Sequence, residues 1–209
     1  MAARLRIVLP LALVVAAFAV PAAGARSTLL GLGGGGGGCP ASGTQVFSPW
    51  GDQASYFLAP NGGLEQGSQG WSLSGGAAVV SGNEPFYATG SHSLSLPSGS
   101  TATSPVICIG SQDPYVRLFG TDQGGGDGGL HVRVVWYGLL NVVLGITDFT
   151  TYGPGNGWDA LGQLPSAGGG NLLIPLLGST SARVQFTPVG SGSHWVVDDL
   201  YVDPWENCA

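Results

Sequence analysis

Residues 130–138 read "LHVRVVWYG". Val132, Val134 and Trp136 fall at every second position, with His131, Arg133, Val135 and Tyr137 between them. Side chains alternate across a strand, so this stretch is read as one with an apolar face for a core and a polar, aromatic-bearing face opposite. The same alternation recurs at 115–119, where Val116 and Leu118 oppose Tyr115, Arg117 and Phe119. It recurs again at 182–187, where Val184 and Phe186 oppose Arg183, Gln185 and Thr187.

Further short β-like runs lie at 56–59, 77–81, 92–97, 104–110, 141–147 and 194–202, separated by Gly, Pro, Asn, Asp and Ser. No stretch holds a helical period. Many short strands between turn residues predict an all-β antiparallel sandwich or barrel. If the three alternating strands neighbour one another, Arg117, Arg133 and Arg183 share one outer surface with Tyr115 and Tyr137.

The N-terminus reads as a targeting segment. Arg4 and Arg6 precede an apolar run from Ile7 to Val20, and Ala23-Gly24-Ala25 follows, the pattern of a cleavable secretory signal. The run is too short to span a bilayer comfortably, so no membrane insertion is expected. Cys39 lies too far from the apolar run, behind six glycines, to be a lipid anchor. The expected organisation is a signal peptide over 1–25, a flexible Gly-rich linker over 26–40 and one β-sandwich domain over 41–209, secreted and extracellular.

The chain has no lysine. Beyond residue 25, Arg26, Arg117, Arg133 and Arg183 face twelve acidic residues, a formal balance of −8. Such a surface repels phosphate backbones and anionic lipids, which argues against a nucleic-acid partner. Three cysteines in an oxidising compartment imply one disulfide and one remaining thiol. Cys39–Cys108, tying the entrance of the domain to the sheet, is favoured over Cys39–Cys208, and spacing does not decide between them.

Two end motifs frame the domain. "NGGLEQGSQGW" (61–71) makes a sharp glycine turn, sends Leu64 toward the core, places Glu65 at the sandwich edge and closes the core with Trp71. "VVDDLYVDP" (196–204) puts Asp198, by alternation, on the face of Val196, Leu200 and Val202, and an inward aspartate needs a partner. Together they resemble the galactose-binding-like jelly rolls, in particular the carbohydrate-binding modules attached to bacterial xylanases and cellulases. The resemblance spans 56–203, with its specific residues at the two ends and only strand pattern between. "PWGD" (49–52), "GNEPF" (82–86) and "DDLYVDP" (198–204) are also similar to stretches in small secreted actinobacterial proteins.

The resemblance implies a jelly-roll β-sandwich and a structural calcium ion held by Glu65 with Asp198 or Asp199, backbone carbonyls completing the oxygen shell. "GNEPF" contains the Asn-Glu-Pro of many barrel glycosidases. Those need a second carboxylate about 5 Å away and a barrel of ~250 residues with alternating helices, so Glu84 is read as a loop residue. No nucleophile elbow or zinc signature accompanies His92, His131 and His194. The glycine clusters at 124–129 and 153–158 read as loops.

Aromatic rings offer a flat apolar face to a sugar, and nearby polar groups hold its hydroxyls. Tyr115, Tyr137, Tyr152 and Trp158, with Arg117, Arg133, Arg183 and Gln185, are therefore the expected glycan-binding set, on a concave sheet face and its rim. Trp71 and Trp136 are assigned to the core. The expected function is a secreted, non-catalytic carbohydrate-binding module for a glycan or polysaccharide. An extracellular surface or matrix interaction protein of the same fold is the alternative, and a polysaccharide hydrolase or lyase comes third.

Overall fold

A computed structural model describes residues 43–87, 90–109, 115–124, 128–153, 157–164 and 181–203. Twelve strands are found among them: β1 (Phe57–Leu58), β2 (Ser72–Ser74), β3 (Ala78–Ser81), β4 (His92–Pro97), β5 (Thr101–Thr103), β6 (Ile107–Cys108), β7 (Val116–Asp122), β8 (Gly129–Tyr137), β9 (Val143–Tyr152), β10 (Asp159–Leu164), β11 (Ser181–Val189) and β12 (His194–Val202). The signal-peptide and linker expectations, Cys39, Trp205 and Cys208 lie outside the described residues.

The strands form two antiparallel sheets, ordered β10-β7-β12-β4-β3 and β2-β5-β11-β8-β9. Each has a long hub strand. β12 carries β7 along one side, with β4 and β1 sharing the other. β11 carries β8 along one side, with β5 and β6 sharing the other. The result is the antiparallel jelly-roll β-sandwich expected from the alternation. Leu130, Val132, Val134 and Trp136 of β8 and Val184 and Phe186 of β11 face Leu94, Leu96, Val116, Leu118, Trp195 and Val197 across a single apolar core. Burying one such side chain stabilises by about 1.5–3 kcal/mol, so the two sheets hold each other.

The chain ends meet as the two motifs require. Leu64 and Trp71 are buried in the core, and the Trp71 indole Nε1 donates to the Asn61 carbonyl at 3.0 Å. The Ala59 N–H donates to the Leu200 carbonyl at 2.8 Å, and the Leu200 N–H to the Gly62 carbonyl at 3.2 Å. A Cβ on Gly62 would lie 2.7 Å from the Leu200 carbonyl oxygen, so only glycine allows this approach.

Strict alternation fails in β12. The register shifts between Asp198 and Tyr201, and Asp199 takes φ +49°. This bulge inserts one residue, so Trp195 and Val197 before it and Leu200 and Val202 after it all reach the core. Asp198 therefore stays with Val196 but not with Leu200 and Val202. It sits opposite Phe119 on the sheet's other side, where its Oδ2 accepts the Glu84 N–H at 3.2 Å.

β7 is covered on both faces. Residues 43–58 form a strap closed by the Thr44–Tyr56 bridge. Phe47 and Tyr56 of the strap pack with Phe119 and Ala160 in a second apolar cluster, joined by Trp50, Trp158 and Tyr201. Strands β2, β5 and β10 escape the sequence reading. β2 and β5 are three residues each, and β10 (Asp-Ala-Leu-Gly-Gln-Leu) alternates poorly.

Candidate functional site

The expected glycan set divides between the two sheets. Arg133, Gln185, Arg183, Tyr137 and Tyr152 share the outer face of the β2-β5-β11-β8-β9 sheet, with Gln185 directly beside Arg133. They are largely engaged with one another's strands. Arg133 Nε donates to Asp148 Oδ1 at 2.7 Å, Arg183 Nη1 to the Ser104 carbonyl at 2.9 Å, and Gln185 Nε2 to Thr103 Oγ1 at 3.3 Å. Tyr137 and Tyr152 stand at opposite ends of that face, too far apart in register to form one platform.

Arg117 departs from the expectation of a shared outer surface. β7 belongs to the other sheet, and Arg117 is buried beneath the strap. Its Nη1 pairs with Asp52 Oδ2 at 2.6 Å, its Nε donates to the Leu161 carbonyl at 3.2 Å, and its guanidinium lies 4.1 Å from the Phe47 ring centroid. Tyr115 is exposed just before β7 and accepts the Asp203 N–H on its carbonyl at 2.9 Å.

Trp158 is better placed. It forms a wall of a hollow of about 320 Å³, together with Thr121, Asp122, Gln123 and Gly157. The hollow lies at the sandwich end made by the β7–β8, β9–β10 and β11–β12 connections. Trp158 packs one side against the strap cluster, which fixes the ring. The Gly157 N–H donates to Thr121 Oγ1 at 3.3 Å and holds the residue before Trp158 against β7. Asp122 Oδ1 accepts the Gly124 N–H at 2.9 Å and the His194 N–H at 3.2 Å, while Gln123 is exposed at the rim. Apolar wall and convergent polar groups in one concavity are what a sugar needs. Asp122 was legible after all: continuing the alternation of Val116 and Leu118 puts this acid on the core-facing side of β7.

A second concentration of acids lies near the β12 bulge. Asp199, Asp198 and Glu84 are buried, and Glu65 is exposed beside them. Burial, followed by the charge of Asp199, pushes Asp198 up to about 8. Burial, followed by the charge of Glu84, pushes Asp199 up to about 6. Glu65 is held low, at about 2, chiefly by the Ser91 N–H, which it accepts at 2.7 Å. The Glu84 carboxylate accepts the N–H groups of Phe86 and Tyr87 and so ties its own turn. In charge, this donor set fits a divalent cation. In geometry it is incomplete, because among the described residues no three Asp, Glu, His or Cys side chains surround a point that a metal ion could occupy. Cys108 is disulfide-bonded, and its partner lies outside the described residues.

No protein-family model and no curated protein matches the chain. Solved structures of similar fold exist. A family 61 carbohydrate-binding module in complex with β-1,4-galactotriose aligns at TM-score 0.49 and 14% identity, over 69% of this chain and 96% of the module. The CBM22-1 xylan-binding domain of Paenibacillus barcinonensis Xyn10C aligns at TM-score 0.47 and 14% identity, over 72% and 94%. The enzymatically active domain of bacteriophage CBA120 tailspike protein 4 aligns at 0.47 and 14% identity, over 69% of this chain but 21% of that one. The chain resembles these proteins in architecture.

Proposed function

We propose that the chain is a non-catalytic glycan-binding module acting outside the cell, and that its site is the loop-end hollow. The observation that carries this reading is the placing of Trp158 beside Gln123 in one concavity: an immobilised ring for a sugar's C–H face, with an exposed amide at its edge. Glu84 supports the non-catalytic part, since its carboxylate is buried and spent on its own turn. The basic, apolar and small-residue order of residues 4–25 supports the extracellular part. Calorimetric titration of the full chain with galactan, xylan and glucan oligosaccharides tests the reading. One of them should bind, Trp158→Ala should abolish that binding, and Tyr137→Ala should leave it intact. Retained affinity in Trp158→Ala overturns the site.

A structural calcium ion belongs to the same proposal. Its support is the buried negative charge around Asp199, with the described arginines engaged elsewhere. Glu65 and Asp199 would hold it, backbone carbonyls supplying the remaining oxygens, and its role would be to pin the 61–71 turn to β12.

A specific observation favours the second reading, a surface interaction protein. The β8–β9 hairpin exposes Leu140, Val142, Val143 and Ile146 together, Leu140 at 82%.

A further inference from the structure

The two sheets end in the outer strands β2, β9, β3 and β10. An outer strand offers a row of backbone N–H and C=O groups to another chain unless something blunts it. Three of these edges are blunted. β2 has three residues, β3 has four, and β10 breaks register between Leu161 and Leu164. β9 is different. It runs for ten residues, Val143–Tyr152, and from Gly145 to Tyr152 it keeps an unbroken register with β8, its one strand partner among the described residues.

The devices that keep an edge from pairing are missing from this stretch. Gly145–Tyr152 contains no proline, no lysine and no inward-pointing charge. Thr147 and Phe149 point inward, Thr147 Oγ1 accepting the Trp136 indole N–H at 3.2 Å and Phe149 packing on the core. Ile146, Asp148, Thr150 and Tyr152 are exposed on the outer face. The charge of Asp148 is balanced from β8 by Arg133 Nε at 2.7 Å, with His131 Nε2 at 3.2 Å.

The order of residues along β9 says what fits it. In an antiparallel two-fold pairing, each residue before the axis faces the one equally far beyond it in the other copy. With the axis at Phe149, Ile146 faces Tyr152 of the second copy and Asp148 faces Thr150, each pair occurring twice by symmetry. A branched side chain against an aromatic one, and a carboxylate against a hydroxyl, are favourable cross-strand pairs. An axis at Asp148 would set two carboxylates face to face. An axis at Thr147 or Thr150 would set Asp148 against the apolar Ile146 or against Tyr152.

We infer that the chain forms a two-fold dimer by pairing β9 with β9 of a second copy, in the register centred on Phe149. The β2-β5-β11-β8-β9 sheets of the two copies then become one continuous sheet. The contact is isologous and closes. It uses the one long edge of each copy and leaves the three-residue β2 at either end of the joined sheet. The inference goes beyond the glycan-binding reading and is independent of it.

The test is sedimentation of the full chain over a range of concentrations, beside Thr150→Asp and Thr150→Arg. The unaltered chain should pass reversibly from monomer to dimer. Thr150→Asp puts a like charge opposite Asp148 twice and should weaken association about fivefold or more. Thr150→Arg puts an opposite charge there and should keep or tighten the dimer. A monomer at every concentration up to about 1 mM overturns the inference. A dimer indifferent to both changes is paired elsewhere and overturns it too. Equal weakening by Asp and Arg overturns the register, and growth beyond a dimer overturns the closed pairing.

Discussion

Asp52 Oδ2 and Arg117 Nη1 lie 2.6 Å apart, with both side chains buried where the N-terminal strap crosses β7. The acid comes from the strap and the base from the sheet, so the pair couples a short extension to β7, the strand beside the hub β12. Arg117 is further sandwiched by Phe47, while Asp52 accepts the Tyr56 hydroxyl at 2.7 Å. Breaking a buried pair by removing one partner strands the other charge, at a cost of about 3–5 kcal/mol. Arg117→Met should therefore lower unfolding stability by that order in a urea melt. Asp52→Asn combined with Arg117→Met should cost much less than the sum of the single changes. Additive losses would show that the pair is not coupled.

Phe47 is fully buried between Tyr56, Phe119 and Tyr201, with ring centroids 5.1, 5.2 and 5.5 Å away. Phe47→Ala should cost about 3–5 kcal/mol as a large-to-small core change. If the midpoint barely moves, the strap is not packed as described.

Leu140 sits at φ +59° and Asn141 at φ +58° in the tight β8–β9 turn. A left-handed leucine costs roughly 1–2 kcal/mol, and its side chain is 82% exposed, so its loss removes little packing. Leu140→Gly should raise stability by about 1 kcal/mol, read from the denaturant midpoint. Loss of stability instead would mean that the exposed leucine has a partner, which would promote the interaction reading.

Asp198 and Asp199 have folded pKa values raised to about 8 and about 6. A carboxyl with a raised folded value holds its proton longer when folded than when unfolded. Stability should thus be greatest below the ordinary carboxylate range and fall as pH rises from about 4 to about 8. In chelator, the melting temperature should decline across that window. Added calcium should reverse the decline, most strongly near pH 8, where the ligands must ionise to bind it. A melting curve indifferent to calcium at pH 8 would remove the ion from the proposal.

Gly62→Ala should destabilise by roughly 2 kcal/mol or more, since its Cβ would press against the Leu200 carbonyl, backbone that cannot step aside. A neutral outcome in thermal unfolding would contradict the close seating of the 61–71 turn on β12.

Much of the fold was legible because alternation is local. The faces of β8 and β11 follow residue by residue from the sequence, as do the burial of Leu64, Trp71 and Trp136 and the meeting of the two end motifs. Of the residues expected to bind a glycan, only Trp158 lines the hollow, while Tyr152 ends β9 on the outer face of the other sheet.

The amino-acid order alone determined that this chain forms short strands with one apolar face, since a period of two is a property of neighbouring residues. It also determined where glycine must turn the backbone, and the acidic balance that disfavours anionic partners. Strand neighbours were decided only in three dimensions. Pairing put Arg117 on one sheet and Arg133 with Arg183 on the other. The bulge at Asp199 turned Asp198 away from Leu200, and the strap buried a face that alternation had left to solvent. The physical reason is that alternation records which side a residue takes within its own strand, while which strand lies beside it, and what lies above it, depend on contacts between residues far apart in the chain.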